Sequence, residues 1–331
     1  MNIKKSLKIT VLSLIIALCF ISCTKSAPVS KSGLYFDTIV SVELYGAGDA
    51  DALLDECMSM CEHYEKLFNK NISTSDIAKI NSSAGRTVTV DHDTVLMLSD
   101  TVRYSEMTDG KFDISVEPIS KLWNFHDDNG DIPDPDKLKM ACDHVGYKNI
   151  MIDTDADTVT LPEYCSIDPG AVAKGFIADR IAKYLSDKHI TGAIINMGGD
   201  MRLVGTKPGG SDFHIGINDP FDPGSVISTL SLNNICVATS GTYERCFIKD
   251  GRKYHHILDP FTGYPADTDV ESVTVISGTS FDCDCLCTVC ILEGSKKSLE
   301  LIESIPDTEA VLVLSDKTVL YSSGASKYIR Q

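Results

Sequence analysis

Apolar residues recur along this chain with two spacings. Alternation of apolar and polar residues predicts strands, and apolar residues at helical spacing predict helices. The segment 36–45, FDTIVSVELY, alternates apolar and polar residues as a half-buried strand does. The next segment, 50–68, has apolar residues at helical spacing on one side. They are Leu53, Leu54, Cys57, Met58, Cys61, Tyr64 and Phe68. This stripe predicts a helix that buries one face.

Helix signals continue through the first half of the chain. A second helix is predicted over 91–107, a third begins at Pro135, and segments 150–152 and 158–161 are predicted to form a hairpin. The segment 166–185 predicts a helix capped by Asp168, with Pro169 at its first position. The amides of its first turn would form an anion site.

In the second half of the chain, the pattern predicts mainly strands. A strand is predicted to turn at Gly198-Gly199, and further strands are predicted at 213–217, 226–238, 244–258 and 271–277. Helices at 280–293 and 295–304 precede a last hairpin over 310–321. Because helices and strands intermix without a regular βαβ alternation, the pattern favours an α+β fold with mixed sheets over a doubly wound fold.

The amino terminus has the features of an export signal. Three lysines precede an apolar run over 9–21, which is shorter than the roughly 20 residues that span a bilayer. The run ends FISC, and Ser22-Cys23 resembles the lipobox of bacterial lipoproteins, although Phe20 replaces the usual leucine. We therefore expect a signal peptide over 1–22, acylation of Cys23, a polar tether over 23–34 and a folded body over 35–331. An ordinary signal peptide or an uncleaved anchor is the alternative.

The net charge argues against a nucleic-acid partner, and the placement of the cysteines argues against a disulfide framework. The formal net charge is −17, and removal of 1–22 takes away three lysines and no acid, which gives −20. A chain this acidic lacks the clustered Lys and Arg that neutralise phosphates, so no nucleic-acid partner is expected. Twelve cysteines in an exported chain would suggest disulfides, but most lie on apolar faces. We expect buried free thiols.

The segment SFDCDCLCTVC, 280–290, is the first candidate for chemistry. On a helix, Asp284 and Thr288 lie one turn apart and offer two oxygens to one cation. The alternatives are a thiolate cluster of Cys283, Cys285 and Cys287, which point in different directions on a helix, or core packing without a metal.

The second candidate is HHILDPFTGYP, 255–265. Adjacent His255 and His256 in a strand face opposite sides, so at most one of them can serve a cleft. A histidine with a purely structural role is the alternative reading of either residue.

Seven ordered motifs together resemble the ApbE family of FAD:protein FMN transferases, which are often exported lipoproteins. The motifs are FDTIVSVELYG, DGKFDISVEPISKLW, IDPGAVAKGF, NMGGD, VATSGTYER, HHILDPFTGYP and DCLCT. The resemblance implies two packed lobes with a flavin cleft between them. It also implies Mg²⁺-dependent transfer of the FMN moiety of FAD to a threonine or serine hydroxyl, with release of AMP.

The same resemblance implies roles for particular residues. The metal ligands would be Ala171, Asp284 and Thr288, since DCLCT stands where the family has D-A-L-S-T. The residues implied in FAD binding are Phe36, Glu106, Met107, Thr108, Asp168, Lys174 and His256. Phe36 stands where many members have methionine. His256 is the candidate general base, and Asp284 is the alternative.

Partners and rival functions follow by analogy with the family. The acceptor would be a flavoprotein subunit of a Na⁺-pumping or Rnf-type redox complex, reached by an enzyme that is lipid-anchored on the extracytoplasmic side of the membrane. The rivals are an FAD pyrophosphatase that yields FMN and AMP, a flavin-binding lipoprotein without turnover, and an electron carrier with a sulfur-bound metal.

Overall fold

The computed structural model describes residues 27–125 and 130–330. The predicted signal peptide and Cys23 therefore lie outside the described residues. Strands are numbered in chain order: β1 Val29–Tyr35, β2 Thr38–Leu44, β3 Thr87–Thr89, β4 Met151–Asp153, β5 Thr158–Thr160, β6 Gly192–Met197, β7 Asp200–Gly205, β8 Phe213–Asn218, β9 Val226–Leu232, β10 Cys236–Gly241, β11 Cys246–Lys249, β12 Arg252–His255, β13 Val270–Ser277, β14 Glu309–Leu314 and β15 Val319–Tyr321.

The helices agree closely with the apolar periodicity. They are α1 Ala50–Phe68, α2 Asp76–Ser82, α3 His92–Met107, α4 Glu117–Ser120, α5 Pro135–Cys142, α6 Ala173–Asp187, α7 Ser280–Glu293 and α8 Ser295–Ser304. The predicted stripe of α1 is buried from Leu54 to Phe68. Asp91 caps α3 by accepting a hydrogen bond from the Asp93 amide.

An eight-stranded sheet runs through the molecule in the order β1-β2-β6-β7-β10-β13-β14-β15. Smaller sheets are β3-β5-β4, the hairpin β8-β9 and the hairpin β11-β12. The predicted α+β class is confirmed. The pairings among these described strands are antiparallel, so the mixed sheets expected from the sequence are not found among them.

Both faces of the large sheet are covered. Helices α1, α6, α7 and α8 pack on one face, and α7 is buried along nearly its whole length. The β8-β9 hairpin packs on the other face through Phe213 and Leu230, which meet Leu203, Val237 and Ile276 of the sheet. Each fully buried side chain of this size contributes about 1.5–3 kcal/mol to stability.

A smaller lobe forms around Trp123. Its ring stacks on Phe125 and Tyr254 with centroid distances of 5.4 and 5.8 Å. The indole Nε1 donates a hydrogen bond to the Gly263 carbonyl at 2.9 Å. The β11-β12 hairpin belongs to this cluster through Phe247, so the segment that carries His256 is packed against the aromatic lobe.

Several sequence predictions require correction. The segment 29–34, assigned to the tether, lies in β1 and pairs with β2 as an edge strand. Phe36 lies in the turn between them, because Phe36 and Asp37 both have positive φ, as a two-residue hairpin turn requires.

Two predicted long strands are each divided by a turn. The segment 226–238 forms β9 and β10, which belong to different sheets, and Asn234 with φ 43° marks the break. The segment 244–258 folds back as the β11-β12 hairpin, with positive φ at Asp250 and Gly251.

None of the helices within 27–125 and 130–330 combines the length and the apolar character that crossing a bilayer requires.

Candidate active site

The site forms where the start of α6 meets the first turns of α7. A methyl group at Gly175 would lie 2.4 Å from the Ser280 carbonyl oxygen, so only glycine allows this approach of the two backbones. The close contact lets the Gly175 amide donate a hydrogen bond to Asp284 Oδ2 at 3.0 Å. Asp284 thus lies against the beginning of α6.

This bond explains why α6 begins later than predicted. In a continuous helix the Gly175 amide would donate to the Ala171 carbonyl, four residues earlier. Asp284 takes that donor instead, and within the described part of the chain the Ala171 carbonyl receives no other hydrogen bond. Helix α6 therefore starts at Ala173, and the predicted helix start at Asp168 is wrong.

The oxygens at this junction fit a hard cation. They are the Asp284 carboxylate, the Thr288 hydroxyl one turn along α7 and the Ala171 carbonyl. Carboxylate, hydroxyl and carbonyl oxygens are the ligands that Mg²⁺ takes. Over 27–125 and 130–330, no three His, Cys, Asp or Glu side chains are grouped to hold a metal. A cation at this junction would thus be bound by one carboxylate, that of Asp284, together with the neutral oxygens of Thr288 and Ala171.

Lys174 connects Asp284 to a second carboxylate. Its Nζ lies 2.9 Å from Asp284 Oδ1 and 3.2 Å from Asp200 Oδ2. Burial alone would lower the pKa of Lys174, but the two carboxylates raise it above its ordinary value. Burial raises the pKa of Asp200 to about 6, against the opposing effect of Lys174.

Asp200 is positioned by the turn between β6 and β7. Gly198 and Gly199 have φ of 71° and 111°, and a methyl group at Gly198 would lie 2.4 Å from Thr38 Oγ1. The turn therefore requires glycine, as the NMGGD motif predicts. The Thr239 amide of β10 donates to Asp200 Oδ1 at 3.1 Å. No role for Asp200 follows from the NMGGD motif in the sequence.

The two adjacent histidines have different surroundings. His255 is buried in β12 and its Nε2 lies 3.2 Å from the Ala266 carbonyl, which is a structural contact. His256 follows the strand. The Nδ1 atoms of both histidines are buried without a hydrogen-bond partner in the described residues. Burial, followed by the Arg245 charge, lowers the pKa of His256 to about 4, and Lys174 acts in the same direction. His256 is therefore neutral at physiological pH.

Glu244 and Arg245, in the corner after β10, are further residues that the sequence analysis did not single out. Burial and the charge of Asp200 raise the pKa of Glu244 to about 7. Glu244 is nevertheless exposed, so water still reaches its side chain. The Arg245 carbonyl accepts a hydrogen bond from the His256 amide at 3.0 Å, which fixes this corner beside the histidine.

Asp168 belongs to a second ionic network. Its Oδ2 lies 2.7 Å from Lys70 Nζ, which also pairs with Glu117, and its Oδ1 accepts from the Gly170 amide at 3.0 Å. Asp168 therefore caps a short turn rather than α6. In the predicted anion site, the Gly170 amide donates to Asp168 and the Val172 amide donates to the Pro169 carbonyl, so neither amide is left for an anion. Lys70 and Glu117 come from distant segments, and nothing in the sequence around them indicates that they form a network with Asp168.

The remaining predicted FAD residues lie around these networks. The Phe36 amide donates to Glu65 Oε1 at 2.7 Å, and the Phe36 turn lies at the same end of the sheet as Gly198-Gly199. Met107 is exposed at the end of α3. The Thr108 hydroxyl donates to the Tyr104 carbonyl at 2.8 Å and accepts from the Phe112 amide at 2.9 Å, so it already has a structural role.

A cleft of about 460 Å³ with a mixed polar and apolar lining begins directly after the Glu106–Thr108 segment. Asp109 and Gly110 form one side, Tyr147 lies beside them, and Pro260 and Phe261 of the HILDPFTG loop form the other. The cleft thus joins the end of α3 to the lobe that carries His256.

The cysteines of α7 are free thiols in separate surroundings. Cys287 Sγ lies 3.4 Å from the Ala238 carbonyl and 3.7 Å from that of Val273, so it packs on the sheet. Burial raises the pKa of Cys283, Cys285 and Cys287 well above the ordinary thiol value. They remain protonated, whereas metal binding needs the thiolate.

Comparisons with known proteins agree on one family. The ApbE family model matches residues 36–312. An FAD:protein FMN transferase of Treponema pallidum is 33% identical over 320 residues, covering 91% of this chain and 88% of that protein. One from Klebsiella pneumoniae is 32% identical over 297 residues, covering 89% and 92%.

Solved structures agree with the fold. The crystal structure of the ApbE protein from Thermotoga maritima superposes with a TM-score of 0.85 at 30% identity, covering 92% of this chain and 100% of that one. The flavin transferase ApbE from Vibrio cholerae gives a TM-score of 0.81 at 25% identity, covering 91% and 99%.

Proposed function

This chain belongs to the ApbE family and is a flavin transferase, and we propose that it transfers the FMN moiety of FAD to a threonine or serine hydroxyl of an acceptor flavoprotein, releasing AMP. The observation that carries the proposal is the junction of α6 and α7, where Asp284, Thr288 and the Ala171 carbonyl offer oxygens beside the Lys174 ammonium. A site that only bound flavin would not need this set of cation ligands.

The proposed reaction is an in-line displacement at phosphorus. The acceptor oxygen forms a bond to the FMN phosphorus, the bond from that phosphorus to the bridging oxygen breaks, and AMP leaves with this oxygen. Mg²⁺ held by Ala171, Asp284 and Thr288 would neutralise the charge of the pyrophosphate. Lys174 supplies further positive charge at the same place.

His256 is the proposed base for the acceptor hydroxyl. Its ring is neutral at physiological pH, and its Nδ1 has no protein partner in the described residues, so that nitrogen is available to accept a proton. Bound phosphates would favour the protonated ring because their charge opposes that of Arg245 and Lys174. Asp284 is less suited to this role because its oxygens already accept from Lys174 and Gly175.

FAD is proposed to lie with its pyrophosphate at the α6-α7 junction. Phe36, Glu106, Met107 and Asp168 are the proposed contacts for the rest of the molecule. The cleft that begins at Asp109 lies next to the Glu106–Thr108 segment, which supports this placement.

The location is proposed from the amino-terminal sequence, and the partner is proposed by analogy with the ApbE family. A lipid-anchored protein on the extracytoplasmic side of the membrane would meet flavin-carrying subunits of Na⁺-pumping or Rnf-type redox complexes. Acylation at Cys23 is the proposed anchor.

The test is a transfer assay with His256→Ala. Purified protein, FAD, Mg²⁺ and an acceptor subunit of an Rnf-type complex are combined, and the acceptor is analysed by mass spectrometry for added FMN. We expect wild-type protein to flavinylate the acceptor. His256→Ala should bind FAD with little change but transfer about a hundredfold more slowly, the usual effect of removing a positioned base.

The exposed His214 on β8 provides the matched control, since His214→Ala should transfer at the wild-type rate. Release of free FMN without labelled acceptor would show the pyrophosphatase instead. A wild-type protein that binds FAD but yields neither product would contradict catalysis altogether.

A further inference from the structure

The candidate metal site contains two carboxylates but one ammonium. Lys174 Nζ bridges Asp284 and Asp200, whose side chains are 5% and 16% exposed. With both carboxylates ionised, the three groups carry one excess negative charge. Burial makes that charge costly unless a further cation is present.

The observed arrangement conflicts with metal binding at Asp284. The Lys174 ammonium lies on Asp284 Oδ1, and the Gly175 amide lies on Oδ2. A divalent cation on this carboxylate would be repelled by an ammonium 2.9 Å from the same oxygen. Lys174 therefore needs another acceptor when the cation binds.

We propose that Asp200 is a positioning residue that holds the Lys174 ammonium, so that the Asp284 oxygens become available to a divalent cation. The inference rests on the cation site proposed above. Asp200 already lies 3.2 Å from Lys174 Nζ, so only a small side-chain movement transfers the ammonium from one carboxylate to the other. Lys174 would then remain beside the cation, where both positive charges face the FAD pyrophosphate.

The surroundings of Asp200 suit this role. The Thr239 amide holds its Oδ1 at 3.1 Å and leaves Oδ2 for Lys174. The Thr239 hydroxyl is bonded to the Thr274 hydroxyl at 2.8 Å, which fixes β10 against β13 at this point. Glu244 is close enough for its charge to interact with Asp200 but makes no ion pair with Lys174 among the described residues.

The experiment measures Mn²⁺ affinity in the absence of FAD, by electron paramagnetic resonance titration of the purified mature protein. Asp200→Asn should weaken Mn²⁺ binding at least tenfold, because Lys174 then stays on Asp284. Asp200→Glu retains the charge and should recover most of the affinity. Asp316→Asn removes a carboxylate in the turn between β14 and β15 that makes no ion pair with Lys174, and should change the affinity less than threefold.

A double-mutant cycle tests whether Asp200 acts by holding the Lys174 ammonium or only through its own negative charge. In a Lys174→Gln background no ammonium competes for Asp284, so Asp200→Asn should weaken binding less than threefold. An equal loss in both backgrounds, or no loss in either, would overturn the inference. Lys174→Gln alone should bind Mn²⁺ at least threefold more tightly than wild type, which provides a test even if Asp200→Asn fails to fold. Weaker binding by Lys174→Gln would contradict the proposal.

Asp284→Asn separates this inference from the proposed function. It should abolish Mn²⁺ binding. Absence of binding by the wild-type protein would overturn both the metal site and the role of Asp200. Binding that depends on Asp284 but not on Asp200 would overturn the role of Asp200 alone.

Discussion

At the scale of single residues, the site depends on how closely two backbones approach at Gly175. The missing side chain lets α6 reach the Ser280 carbonyl, and this places the Gly175 amide on Asp284. The Ala171 carbonyl is released from its helical bond as a result. One glycine thus determines both where α6 begins and which oxygens face the candidate cation.

Gly175→Ala should therefore reduce both stability and metal binding. The added methyl group would meet backbone atoms that cannot move as a flexible side chain can, so we expect a loss of about 1–3 kcal/mol in the free energy of unfolding. Mn²⁺ affinity should fall as Asp284 separates from α6. Urea unfolding and Mn²⁺ titration measure the two effects.

Gly48→Ala is the matched control, because no atom lies within 4 Å of a methyl group at that position. Equal stability and equal Mn²⁺ affinity in the two variants would show that the approach at Gly175 is not needed.

At the scale of elements, the helices were predictable because each carries its own signal. The stripe of α1 and the caps and breakers around α3 and α7 lie within the elements they define. The strands were harder to predict, because the segment 226–238 was predicted as one strand, whereas β9 and β10 belong to different sheets. Asn234 breaks this segment with a conformation that a period-two pattern does not reveal.

The site was only partly predictable for the same reason. Asp284 and Thr288 are one helical turn apart, so periodicity alone brings them together. Asp200 contacts Lys174, and Lys70 contacts Asp168, although the two residues of each pair lie in different segments of the chain. Such contacts depend on tertiary packing. The ApbE resemblance supplied roles for Ala171 and Lys174, but the structure was needed to reveal the bond between Gly175 and Asp284.

Helix α7 permits a direct test of oxygen against sulfur as the metal ligand. A variant with alanine at Cys283, Cys285 and Cys287 removes every thiol of the rival cluster and leaves Asp284 and Thr288 in place. We expect Mn²⁺ affinity within threefold of wild type. Stability should fall by about 1 kcal/mol per residue, because each substitution leaves a small cavity in the core.

The comparison variant is Asp284→Asn, which keeps all three thiols and should lose Mn²⁺ binding. A cysteine variant that loses metal while Asp284→Asn retains it would support the sulfur site instead.

At the scale of the whole molecule, the amino-terminal connection and the candidate site lie at opposite ends of the sheet. Strand β1 begins at Val29 and runs to the Phe36 turn, which shares its end of the sheet with Gly198-Gly199 and Asp200. Seven strand residues separate the two ends by about 20 Å. Cys23 is six residues before Val29, a reach of about 20 Å when extended. An anchor at Cys23 would hold the body near the membrane and direct the site away from it.

Cys23→Ser should release the protein from the membrane without impairing its chemistry. We expect the variant in the soluble fraction, without incorporation of labelled palmitate, and with transfer to a detached soluble acceptor domain within twofold of wild type. Transfer to an acceptor in the same membrane should fall at least tenfold, because the anchor no longer raises the effective concentration. Cys19→Ser is the matched control, since it changes a cysteine in the apolar run and leaves FISC intact. If Cys23→Ser still fractionates with the membrane and incorporates palmitate, Cys23 is not the anchor; if it does so without palmitate, the apolar run itself holds the chain there.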